Sequence, residues 1–116
     1  MKVLAVSGSL REASSNTSLL RALAKLAPAG TTVRFPPPLD ALPFFNSDVE
    51  QAGLPPPVAA WRAEVGLADA VVISSPEYAH GIPGALKNLL DWVVGSGELW
   101  GKPIALVNAS PSSTHA

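Results

Sequence analysis

Lys2-Val3-Leu4-Ala5-Val6-Ser7-Gly8-Ser9-Leu10-Arg11-Glu12-Ala13-Ser14-Ser15-Asn16-Thr17 runs from an unbroken apolar stretch, through a loop of hydroxyls with one amide and one arginine, into leucines at helical spacing, Leu19, Leu20, Leu23 and Leu26. An apolar run that does not alternate with polar residues reads as a strand covered on both faces. The loop therefore stands at the carboxyl end of a buried strand and at the start of a helix. Backbone N–H groups without helical partners and the positive end of the helix dipole meet there, which favours a phosphate. The G-x-G-x-x-G pattern that brings backbone against a dinucleotide pyrophosphate is absent, and so is the G-x-x-x-x-G-K-[ST] pattern of nucleotide triphosphate sites. A single terminal phosphate, held by hydroxyls and one guanidinium, fits this loop, and the expected ligand is a mononucleotide.

Two more unbroken runs follow, Ala70-Val71-Val72-Ile73 and Ile104-Ala105-Leu106-Val107, while Thr32-Val33-Arg34-Phe35 alternates and reads as an edge strand. Helical patterns separate them. The first is capped by Ser14 or Ser15 and stopped near Pro28-Ala29-Gly30. The second spans about Pro56 to Leu67, with Val58, Trp61 and Val65 on one stripe. The third starts at Pro83, a favourable first-turn residue, and carries Ile82, Leu86, Leu89, Leu90 and Val93 on its apolar face. Strands alternating with helices of this length describe a doubly wound α/β sheet with right-handed crossovers. Ligands of such sheets bind at the carboxyl ends of the strands, which here means three loops: Gly8 to Thr17, Ser74 to Pro83, and Asn108 onward. The proline-rich segment from Pro36 to Pro57 shows no period and is expected to be an ordered surface loop with a functional or interface role.

Composition narrows the function. The 116 residues suit one domain, 47% apolar and 15% charged, as in a well-covered soluble fold. A formal net charge of -1, with eight scattered Lys and Arg, gives no basic face for nucleic acid. Without cysteine there is no disulfide, thiolate nucleophile or iron–sulfur cluster, and two lone histidines do not make a structural zinc site. No signal-peptide core or membrane-length apolar run is present, so the expected location is cytoplasmic.

The second loop reads Ser74-Ser75-Pro76-Glu77-Tyr78-Ala79-His80-Gly81-Ile82-Pro83-Gly84-Ala85-Leu86-Lys87-Asn88-Leu89-Leu90-Asp91-Trp92. Together with Gly8-Ser9-Leu10-Arg11 and Ser15-Asn16, it strongly resembles the NADPH-dependent FMN reductase family, which includes quinone, chromate and azo-compound reductases. The resemblance covers essentially the whole chain. It implies a flavodoxin-like three-layer α/β sandwich, with parallel strand order 2-1-3-4, and FMN as the cofactor. By the same resemblance, Ser9, Arg11, Ser15, Asn16 and Thr17 would hold the FMN phosphate. Pro76, Glu77 and Tyr78 would border the isoalloxazine, and Ser110 would lie near its other side. Family members run on beyond the fourth strand to a fifth, so the chain is expected to be a single FMN-binding domain over 1–116, C-terminally incomplete. Ala79 follows Tyr78 where many relatives have asparagine.

The implied activity passes hydride from NADPH, or NADH, through FMN to a quinone or similar small acceptor. Homodimers or homotetramers are implied as well, with no nucleic-acid or membrane partner and no metal. The chemistry would belong to the cofactor, so no catalytic side chain is named. Two other outcomes stay open: a flavodoxin-type electron carrier, although such carriers are usually strongly acidic, and an inactive, shortened domain. A receiver-type signalling domain needs acidic residues at the end of the first strand, where Ser7 and Gly8 stand.

Plainer roles accompany the functional ones. On composition alone Ser15 and Asn16 read as helix caps before ligands, and the two roles can coexist at one helix end. Glu77 reads as a surface or interface carboxylate, Tyr78 as either a flavin or an interface contact, and His80 as a polar wall residue. Lys87 and Asp91, four apart on a helix, are expected to pair on its surface. Trp61, Trp92 and Trp100 are expected to be packing residues.

Overall fold

A computed structural model describes residues 1–8, 15–75 and 84–107. Four parallel strands, β1 (Lys2–Ser7), β2 (Thr32–Arg34), β3 (Ala70–Ser74) and β4 (Ile104–Val107), form one sheet in the order β2-β1-β3-β4. The helices are α1 (Ser15–Leu26), α2 (Ser47–Ala52), α3 (Pro56–Leu67) and α4 (Gly84–Val94). This is the flavodoxin-like arrangement expected from the sequence, with the alternating run at the edge as β2.

Register sorts the side chains by face. Leu4 pairs with Val71, and Val6 with Ile73. All four join one core with Val58, Trp61 and Val65 of α3 and Leu86, Leu89, Trp92 and Val93 of α4. Trp61 and Trp92 are 1% and 0% exposed, as expected of packing residues. Each indole contributes some 150–250 Å² of buried surface, which makes these two the main anchors of the core. On the opposite face, α1 packs against β1 and β3, with Leu20 buried.

Three expectations need correction. The segment from Pro36 to Pro57 is not a structureless loop. It holds a 3-10 turn at Leu39–Ala41 and the helix α2, whose cap Asn46 accepts a hydrogen bond from the Asp48 N–H at 2.9 Å. Leu39 and Leu42 reach into the core. Six residues are too few to display a helical period, which is why the pattern missed α2. Trp100 is 91% exposed and packs nothing: it lies between Gly97 and Gly101, both at positive φ (87° and 73°), in the turn joining α4 to β4. The run at β4 is not covered on both faces, since Ile104 and Leu106 are exposed.

Side chains of α4 and α3 replace regular structure in holding the segment after β2. Asn88 accepts from the Phe45 N–H through Oδ1 and donates to the Pro43 carbonyl through Nδ2, both at 2.8 Å. The Trp92 Nε1–H donates to the same carbonyl at 2.8 Å, and its ring meets Phe45 edge-on at 4.9 Å. Arg62 of α3 donates twice to the Trp92 carbonyl, at 3.0 and 2.9 Å, and pairs with Glu50 of α2. Backbone groups lacking ladder or helix partners are thereby satisfied. Lys87 and Asp91 pair at 2.5 Å on the surface of α4, as their spacing predicts.

Candidate functional site

The carboxyl ends of β1, β3 and β4 stand in one row. Ser7 of β1 pairs in register with Ser74 of β3, and Ser74 with Val107 of β4. The Gly8 N–H donates to the Ser74 carbonyl at 2.8 Å, and the Ser75 N–H to the Val107 carbonyl at 3.0 Å, so the row continues one residue past the strands. The three loops expected to build the site therefore leave the sheet side by side.

The first turn of α1 is bolted onto this row. The buried Ser74 hydroxyl donates to Asn16 Oδ1 at 2.7 Å, and the Thr17 hydroxyl donates to the Ser7 hydroxyl at 2.9 Å. Asn16 is 4% exposed and Ser74 0%. Buried polar groups are costly unless paired, so these two bonds fix how the helix end sits over the strands. The start of α1 is thereby placed by the sheet.

Gly8 is required by space. A Cβ built there would meet Ser75 Oγ at 2.8 Å, Ser75 Cβ at 3.0 Å and Ser75 Cα at 3.3 Å. A side chain at this position requires Ser75 to shift where the ends of β1 and β3 come close.

Of the site residues named from the sequence, Asn16 and Thr17 are brought together with the strand ends, and Ser15 begins α1. The side chain of Ser15, and Ser9, Arg11, Pro76, Glu77, Tyr78 and Ser110, lie outside the described residues, as do His80 and Pro83. Sequence reasoning did not pick out Ser7, Ser74 or the Gly8–Ser75 approach as parts of the site. Their signal was present only in position: a serine ends the apolar run of both β1 and β3. A hydroxyl closing a buried strand is a polar group that needs a partner.

No helix among the described residues is long and apolar enough to cross a membrane.

Comparison with known proteins agrees with the geometry. The family model described as NADPH-dependent FMN reductase matches residues 1–116. An NAD(P)H-dependent FMN reductase of Pseudomonas aeruginosa is 38% identical over 112 residues, covering 95% of this chain and 60% of that protein. A quinone reductase of Escherichia coli K12 is 38% identical over 113 residues, with the same coverage of 95% and 60%. Among solved structures, the flavoenzyme NAD(P)H:(acceptor) oxidoreductase of Paracoccus denitrificans superposes with a TM-score of 0.86 at 33% identity, covering 96% of this chain and 62% of that one. The chain thus spans about 60% of the length of the curated relatives it matches.

Proposed function

Because the chain belongs to the NADPH-dependent FMN reductase family, we propose that it binds FMN across the carboxyl ends of β1, β3 and β4 and takes part in moving reducing equivalents from NADPH or NADH to a quinone or similar small acceptor. The observation that carries this reading is the docking of the first turn of α1 on the row formed by Ser7, Ser74 and Val107, through Asn16 and Thr17. In this reading residues 1–116 act as one FMN-binding domain.

The residues present fit the group. The start of α1 would supply backbone donors and the dipole, Ser9 and Ser15 hydroxyls, and Arg11 the charge for a dianionic phosphate, while the Thr17 hydroxyl, which donates to Ser7, holds the helix end. Asn16 gives its carbonyl oxygen to Ser74 and so serves the site by holding the helix end in place. Pro76, Glu77 and Tyr78, and Ser110 from the loop after β4, would border the ring. The serine-closed ends of β1 and β3 and the glycine at position 8 keep bulk away from that row. Bound there, FMN supplies the hydride chemistry, and the protein supplies position and exclusion of water. No side chain is assigned a proton-transfer role. An assembly of two or four copies and a cytoplasmic location go with this reading.

The test is spectroscopic. FMN-loaded protein mixed anaerobically with NADPH is expected to lose its visible absorbance and to regain it on addition of a quinone. A flavin band unchanged by both NADPH and NADH would contradict the reading.

A further inference from the structure

A cleft of about 600 Å³ opens beside the last residues of β1, on the β2 side. Pairing of the two strands stops at Leu4 and Arg34. Positions 36–38 are prolines, which have no N–H to extend the ladder, so the chain turns away and leaves the gap. Thr17 and Arg21 of α1 form one wall, Phe35, the three prolines and Asp40 form the other, and Trp61 lies at the inner side. Its volume falls within the range of small-molecule sites.

The chemistry of these walls is specific. Arg21 and Asp40 are exposed, and neither takes a hydrogen-bond or ion-pair partner among the described residues. The Trp61 Nε1–H is buried without an acceptor, the one such side-chain group among the described residues. An aromatic ring with prolines offers a flat apolar surface, the guanidinium a phosphate contact, and the carboxylate an acceptor for sugar hydroxyls. In dinucleotide-binding βαβ units an acidic residue past the second strand takes the ribose, beside the start of the first helix. Asp40 holds the corresponding place here, after β2 and across from α1.

We propose that this cleft takes the adenosine phosphate half of a dinucleotide, with Arg21 on a phosphate and Asp40 on the ribose hydroxyls. Two sources carry that half: the nicotinamide co-substrate and FAD. The proposal rests on the reading above only in naming these sources. The cleft borders the proposed flavin site through Ser7 and Thr17 and is otherwise built from other residues.

Isothermal titration of the purified chain decides it. If the source is the co-substrate, 5′-AMP binds the FMN-saturated chain while FAD gains no advantage over FMN, Arg21→Ala weakens 5′-AMP binding tenfold or more, and Asp40→Asn weakens it several-fold. FMN affinity stays within twofold in both variants. If the source is the flavin, FAD binds the bare chain at least tenfold more tightly than FMN, and Arg21→Ala removes that advantage. Absence of both effects, equal binding by wild type and Arg21→Ala, or inorganic phosphate matching 5′-AMP overturns the proposal. Should FMN fail to bind at all, the proposed function falls. Titration of the bare chain with 5′-AMP then still decides the cleft on its own.

Discussion

The buried hydroxyl of Ser74 donates to Asn16 Oδ1 at 2.7 Å, joining the carboxyl end of β3 to the first turn of α1 across 58 residues of sequence. With Thr17 on Ser7, this makes the position of the start of α1 a property of the sheet. Replacing Asn16 by Ala leaves a fully buried hydroxyl without that acceptor. The expected cost is about 1–3 kcal/mol of stability, the usual penalty for a stranded buried polar group. Urea unfolding of Asn16→Ala, Ser74→Ala and the double variant checks it: the pair is expected to be non-additive by about 1 kcal/mol. Strict additivity would mean the bond contributes nothing.

A methyl group at position 8 is expected to push the β1 and β3 loops apart, because its nearest neighbours are the Oγ, Cβ and Cα of Ser75. Gly8→Ala should therefore lower FMN affinity by about tenfold, which is about 1.4 kcal/mol. Combining it with Ser75→Gly removes the two closest of those atoms and should restore most of the loss. Failure of the second substitution to rescue the first, in a fluorescence titration of FMN, would place the defect elsewhere.

The hold of α4 on the segment after β2 predicts a different phenotype. Asn88→Ala removes both hydrogen bonds to Pro43 and Phe45 while leaving the core tryptophan in place. It should destabilise the chain by about 1–3 kcal/mol. Limited proteolysis should show faster cleavage in the stretch 43–53. Trp92→Phe keeps most of the packing and loses one bond to the Pro43 carbonyl, so its effect on that cleavage should be smaller than that of Asn88→Ala. Equal protease resistance of wild type and Asn88→Ala would contradict the clamp.

Much of this fold is legible in the sequence because its strongest signals are local. Apolar runs of four mark β1, β3 and β4, alternation marks β2 as the edge, and the prolines at 55–57 with the leucine at 67 bound α3. What escapes is set by distance or by brevity. Ser7 and Ser74 become neighbours only through the register of two strands far apart in sequence. The helix α2 has six residues, and its one sequence signal is Asn46 ahead of Asp48 and Glu50, an N-cap with an acidic first turn. Trp100 misleads because indole size suggests burial, whereas the glycines at 97 and 101 carry it out into solvent. Of the candidate site, the strand ends and the helix start were legible. The partners that fix the helix start were not.

The measurement that most directly tests the central claim, a phosphate-anchored FMN site at the start of α1, is a paired titration of the chain with FMN and with riboflavin, for wild type and for Arg11→Ala. The account predicts that FMN binds the wild type more tightly than riboflavin and that Arg11→Ala weakens FMN by about 1.5–3 kcal/mol, the range for a charge-assisted hydrogen bond. Riboflavin, which has no phosphate, should bind both forms alike. Equal affinities for the two flavins, or equal losses for both on removing Arg11, would contradict it.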